Sequence, residues 1–317
     1  MLSRPPPVTM RSLLFALSLF ATATASAQPM WRPALDGPSV SLDVLKPFGQ
    51  ALVATDETGE QIGEVGTSPF HSAQVLSARV PLGPRLAVVA DLPTAYAKYE
   101  PDDAVRRAYP DSDGPGEFIV GNPYLGVEMA LRPEIAVGVG VRLPLSPPGE
   151  FGAGSDAAFV GRTAVLEVPE AFLERTFSVS AGVRYEPALA RSVRLRLQAV
   201  PTVLVYSSFR GVVSGGELLG REDVRETVFA LRYGAHVVGG VGPAELSAGI
   251  VGRVDDVEPF TVGSTTFVGS YEPTVLTLGA AVGGLPVRPG LTARVPVRGD
   301  PFGTDLVVGL SLDVPLR

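Results

Sequence analysis

The chain has 317 residues, a net charge of −7 and no cysteine. Disulfide staples, thiol catalysis and Cys-ligated metal centres are therefore excluded. The acidic balance also argues against a nucleic-acid partner, since such proteins carry a net basic surface. Only two of the 26 cationic side chains are lysines, Lys46 and Lys98, and the rest are arginines.

At the N-terminus, Arg4 and Arg11 precede a short apolar run, Leu13–Ala21, and Ala25-Ser26-Ala27 reads as a small-residue cleavage site. Met10 is a second candidate start. The apolar run is shorter than the roughly 20 residues a spanning helix needs. Residues 1–27 thus read as a secretory signal peptide and 28–317 as the exported domain.

Beyond Gln28 the dominant signal is alternation of apolar and polar residues, the mark of β-strands. It places strands near 38–48, 70–82, 85–97, 118–131, 135–146, 176–187, 192–208, 226–239, 243–255, 271–283, 290–298 and 304–316, about twelve by this criterion. The connections sort into two kinds. Tight ones fall at Gly83-Pro84, Arg132-Pro133-Glu134, Ala188–Arg191, Gly240-Val241-Gly242 and Gly284–Pro289. Between them lie the polar connections 49–69, 98–117, 147–175, 209–225, 256–270 and 299–303, most of them long. Strict alternation of tight and long connections is the pattern of an all-β, antiparallel up-and-down transmembrane β-barrel, with short periplasmic turns and long outer loops. A Greek-key sandwich has no reason to sort its loops in this way.

Strand parity then assigns faces. Ile135, Val137, Val139, Val141, Leu143 and Leu145 share one face of their strand; Val193, Leu195, Leu197, Ala199, Val203 and Val205 share another. Leu306, Val308, Leu310, Leu312, Val314 and Leu316 do the same on the last strand. In a membrane barrel this face meets lipid and the opposite one lines the lumen. The lumen set is rich in arginine: Arg142, Arg184, Arg194, Arg196, Arg232, Arg294 and Arg298, with Arg79 and Arg253. Its acids include Asp91, Glu128 and Glu245, with Asp43, Glu186, Asp255, Asp305 and Asp313. Rings of arginine favour anions in a pore, so these residues are the candidate selectivity set. Acids that pair with them would instead close the lumen. Glycines on the same face, among them Gly126, Gly140 and Gly249, mark either barrel curvature or something packed inside. Loop 147–175, glycine-rich at its start and apolar over 164–172, is a candidate for such packing; its apolar stretch either folds inward, extends the neighbouring strands or forms a short helix.

Prolines 93, 144, 201 and 296 fall within strands, where each removes a ladder hydrogen bond. Three recur as charged–apolar–proline near the outer rim (Asp91-Leu92-Pro93, Arg142-Leu143-Pro144, Arg294-Val295-Pro296), where bulges would accommodate them. Aromatic residues that flank strands (Trp31, Tyr96, Tyr99, Phe118, Phe209, Phe229, Phe260, Tyr271) suit an interfacial girdle.

The stretch Gly121-Asn122-Pro123-Tyr124-Leu125-Gly126-Val127-Glu128, followed by Val139–Pro144, resembles a strand opening found among outer-membrane transporters, including the phenol-degradation-pathway outer-membrane family. The resemblance covers about a quarter of the chain and implies a barrel channel. It carries over no functional residue. The chain departs from many such barrels by ending Pro315-Leu316-Arg317, where they end in an aromatic residue.

Catalytic patterns are sparse. There is no G-x-S-x-G, H-E-x-x-H or P-loop, and no cofactor motif. The two histidines are His71 and His236; the second shares its face with Arg232, which suits a pore lining better than a general base. Asp255-Asp256 and Asp111-Ser112-Asp113-Gly114 lack the full calcium-loop pattern and read as solvated loop charge. The expectation is a non-enzymatic outer-membrane channel for passive passage of small solutes, with anions favoured if the arginines line an open pore, surrounded by membrane lipid. A closed structural or receptor-type barrel is the first alternative and a membrane-embedded lipid hydrolase the second.

Overall fold

The computed structural model describes residues 37–49, 52–55, 61–67, 70–108, 116–146, 156–173, 175–214, 217–255, 260–262, 265–267, 272–299 and 304–316. The signal peptide, Trp31, Tyr271, Asp111–Gly114 and Asp256 lie outside them.

Twelve long strands form the barrel: β1 Ser39–Phe48, β2 Ser72–Pro81, β3 Leu86–Ala97, β4 Tyr124–Arg132, β5 Ile135–Arg142, β6 Thr176–Tyr185, β7 Val193–Ser214, β8 Glu217–Val241, β9 Ala244–Asp255, β10 Thr274–Val282, β11 Arg288–Arg298 and β12 Leu306–Pro315. Each pairs antiparallel with its sequence neighbour. β12 returns to β1, with Ser39 opposite Pro315, and this closes the ring. Closure removes every sheet edge, which is the condition for spanning a membrane with strands. The described termini meet at the tight-turn end, where the Leu316 amide donates to the Pro38 carbonyl at 2.7 Å.

The apolar parity faces outward. Leu278 and Leu310 are each 59 % exposed, and Leu125, Leu145 and Leu291 more than half. Polar groups of the opposite parity are inside: Asp43, Ser77, Gln198, Thr277 and Asp313 are all buried. In water this arrangement would be inverted, so the barrel is of the membrane type. Phe118, Phe229 and Tyr185 are exposed on its outside.

Three sequence expectations change. The strand expected at 118–131 is two pieces: Glu117–Val120 pairs with the outer end of β3, and β4 starts only at Tyr124. Between them Gly121-Asn122-Pro123 stands opposite Leu92-Pro93, three residues against two, a bulge placed where Pro93 cannot donate. Expected loop 209–225 is largely strand, because β7 and β8 run on as a paired ribbon to Ser214 and from Glu217. Strand 135–146 stops at Arg142, so Pro144 lies past its end. Pro296 sits at a register shift between β10 and β11. Pro201 falls where the β6–β7 ladder is interrupted, between Ser180–Thr202 and Val183–Ala199. Outer loops add a three-stranded sheet (Leu52–Thr55, Gln61–Thr67, Tyr99–Pro101), helix α1 (Asp103–Ala108) and a small hairpin, Phe260–Val262 with Thr265–Phe267.

The remaining outer segment goes inward. Helix α2 (Asp156–Ala164) lies in the barrel and packs on the outer halves of β1, β2 and β3, and a 3₁₀ turn (Pro169–Ala171) packs on the helix and on β6. Residues 156–173 are called the plug below.

Candidate functional site: a plugged, arginine-rich lumen

The seat of the plug is built from small lumen-facing side chains. Ala73 on β2 and Ala95 and Ala97 on β3 are fully buried against Ala157, Ala158, Val160 and Ala164 of the plug, with Leu45 and Val307 completing the cluster. A run of alanines on a lumen face leaves room for a helix to approach, and burial of its apolar stripe holds it there. Phe172, 1 % exposed, closes the far side. A Cβ on Gly161 would collide with its ring, and one on Gly121 would meet its Cδ1 at 2.9 Å.

The bulge before β4 anchors the other end. Asn122 is fully buried and donates from Nδ2 to the carbonyls of Glu170 (2.9 Å) and Leu173 (2.6 Å). Its amide donates to Ala171 O at 2.7 Å, and its Oδ1 accepts from the Ser146 amide at 2.7 Å. Every polar atom of this side chain thus serves the plug or the start of its loop. Arg142 donates to Asn122 O at 2.7 Å, and its guanidinium lies 5.6 Å from the centre of the Tyr124 ring.

Charged lumen residues form two belts. In the belt near the tight turns, Glu128 pairs with Arg79 (3.3 Å) and Arg184 (2.7 Å). Arg184 also reaches Glu186 (3.2 Å), which pairs with Arg196 (2.8 Å). Arg194 and Glu245 pair at 2.5 Å and are the more exposed couple. Arginine and acid alternate along this chain from β2 to β9, so the candidate residues here are engaged with one another.

The second belt lies under the plug. From the wall it takes Arg142, Arg232, Arg253 and Arg294, with the acids Asp91 and Asp255. The plug adds Glu167 and Glu170. Arg294, 1 % exposed, pairs with Glu167 and donates to Ala164 O at 2.6 Å. Arg253, 2 % exposed, pairs with both Glu170 and Asp255. Asp255, placed on the lumen face by strand parity but also read with Asp256 as solvated loop charge, is buried and bonded. Glu170 loses solvation on burial, which raises its pKa, but the charges of Arg253, Arg142 and Arg232 outweigh this and hold it below the ordinary 4.5. Arg298 does not join: it is 76 % exposed at the outer rim, 3.6 Å from Glu272.

His236 is buried on the lumen face and bonded through Nε2 to the Thr277 hydroxyl; its Nδ1 has no hydrogen-bond partner among the described residues. Its charged neighbours are Arg196 and Arg294. A general base needs an orienting acid, and none is bonded to this ring among the described residues.

Sequence reasoning missed Asn122, Glu167, Glu170 and Phe172. The signal was present only in outline, as an apolar stretch inside a polar loop and as a G-N-P turn before a strand. Two of the lumen glycines serve a side chain of the wall. Gly126 and Gly140 leave space for the Tyr124 phenol, whose oxygen a Cβ on Gly126 would meet at 2.6 Å.

No family model matches the chain, and no curated protein matches its sequence. Its fold is similar to that of solved outer-membrane barrels. An outer-membrane channel from Pseudomonas putida F1 superposes with a TM-score of 0.54 at 10 % identity, over 91 % of this chain and 99 % of that one. The translocator domain of the autotransporter NalP from Neisseria meningitidis gives 0.51 at 11 % identity, over 89 % and 90 %. A channel and a translocator share this architecture, so the likeness speaks to fold alone.

Proposed function

We propose that the chain is an outer-membrane channel for passive passage of small solutes, with the plug as its gate. Residues 1–27 serve as the export signal and are removed. The observation that carries this reading is how the lumen is closed. Among the described residues its outer half is occupied by one loop segment, seated on alanines and held by the Asn122 bonds and two buried ion pairs, rather than by large side chains of the wall. A segment held in this way moves without unfolding the barrel. The arginine-rich second belt favours anionic solutes once the plug withdraws.

The belt of Arg79, Glu128, Arg184, Glu186 and Arg196 supports a second reading, a permanently closed structural barrel, because paired charges cross-link the wall. Solute efflux from proteoliposomes separates the two. Mature protein in which 156–173 is replaced by a short Gly-Ser linker should release a small anionic dye faster than the full-length chain, and a cationic dye of equal size more slowly. Tight vesicles, from protein shown to be folded, would leave the structural barrel.

A further inference from the structure

The geometry points to a binding site for a solute dicarboxylate at Arg253 and Arg294, occupied in this structure by the carboxylates of Glu167 and Glu170. This rests on the channel reading, because a solute reaches the site only where the plug gives way.

Both guanidiniums are almost wholly buried. A buried arginine needs a carboxylate or equivalent acceptors, since an unpaired charge in the interior costs several kcal/mol. Arg142, Arg232, Arg253 and Arg294 are balanced in the second belt by Asp91, Asp255, Glu167 and Glu170. Two of these four acids belong to the plug. When it leaves, four arginines face two wall carboxylates, and the vacated places call for two negative charges.

The shape of the site says how those charges should be linked. Arg253 lies near the outer end of β9 and Arg294 on β11, with β10 between them. Arg294 stands in register with Thr277 and Gly249, four residues before Arg253, so the two backbones are offset by about 10 Å across the strands and about 13 Å along them, too far for one phosphate or one carboxylate to serve both. Val251 of β9 and Val275 of β10 face the lumen beside them, and the plug covers these valines with Leu166. Leu166 thus lies on the apolar floor while Glu167 and Glu170 reach the two arginines. The plug presents two carboxylates joined by an apolar span, and a dicarboxylic acid with a hydrocarbon spine presents the same set. Such a solute competes with the plug for its own latch and so admits itself.

Calorimetry with adipate, at low chloride, tests the site directly. The mature protein carrying Glu167→Gln and Glu170→Gln should bind adipate at least tenfold more tightly than the unaltered chain. Hexanoate, with one carboxylate, should bind at least tenfold more weakly than adipate. Arg294→Lys in that background keeps the charge, loses the two-pronged donor geometry, and should weaken adipate at least fivefold. If the paired substitution impairs folding, the linker variant lacking 156–173 takes its place, with the same expectation. Equal affinity for adipate and hexanoate, or adipate binding untouched by Arg294→Lys, overturns the site. Ionic current in bilayers, recorded on the same proteins, keeps the two readings apart. Current without adipate binding leaves the channel and removes the site; binding without current does the reverse.

Discussion

Asn122 is the most economical handle on the plug. Asn122→Ala deletes two hydrogen bonds to plug carbonyls and a third that fixes Ser146 where the loop begins. Each is worth about 1 kcal/mol net. The two direct bonds then bias the plugged state by roughly 2 kcal/mol, and all three by roughly 3 kcal/mol. At about 1.4 kcal/mol per tenfold, the withdrawn population should rise roughly 30- to 150-fold. The chain has no cysteine of its own, so Ala95→Cys, at a fully buried position beneath the plug, reports withdrawal through reaction with a membrane-impermeant maleimide. Where opening is fast relative to reaction, the labelling rate follows the open population. It should climb by that factor in the Asn122→Ala background while the barrel's unfolding temperature scarcely changes. An unchanged labelling rate, in protein that is folded, would refute the role given to Asn122.

Further outcomes follow from the same contacts. Phe172→Ala removes the ring packed on Gly161 and should cost the plugged state about 3 kcal/mol or more, as large-to-small core changes do; Ala95→Cys labelling should accelerate at least as much as with Asn122→Ala. Glu128→Gln leaves Arg79 without the partner it pairs with and weakens the hold on Arg184. A loss of about 3 kcal/mol in the wall should lower the unfolding temperature by several degrees in a gel-shift assay, with little effect on labelling under the plug. Glu170 has its pKa depressed below 4.5, so its contribution to the plugged state is complete above that value and is lost as pH falls through the depressed pKa. Labelling of the Ala95→Cys variant, normalised to an exposed reference thiol, should stay flat from neutral pH to 4.5 and rise only below it. Neutralising Arg194 and Arg196 together should weaken the anion preference of any current, measured as a smaller reversal potential in a salt gradient.

The barrel was legible because its cause is local. A strand between lipid and lumen must alternate, and all twelve strands overlap the segments marked by alternation, with tight and long connections in their expected order. Strand ends were less legible. β7 and β8 continue past the apolar band, where no lipid enforces alternation and residues 209–225 read as loop. The bulge at Gly121–Pro123 was hinted at by Pro93, but its purpose was not, because the side chain of Asn122 gains its partners from residues 24 to 51 positions away. Arginine parity was readable for Arg142, Arg196 and Arg294, which are buried in the lumen. Which acid each one meets depends on the tilt and stagger of strands, and alternation along one strand carries no information about either. Glu167 and Glu170 were hidden for a related reason: a loop charge looks solvated until the loop itself is placed inside the barrel.

A channel behind the plug would carry current through single molecules. Mature full-length protein and the linker variant lacking 156–173 would be inserted into planar bilayers under a salt gradient. The full-length chain should show rare, brief openings and the linker variant sustained steps, with a reversal potential of anion-preferring sign. No steps from a linker variant shown to be folded and inserted would contradict the channel reading.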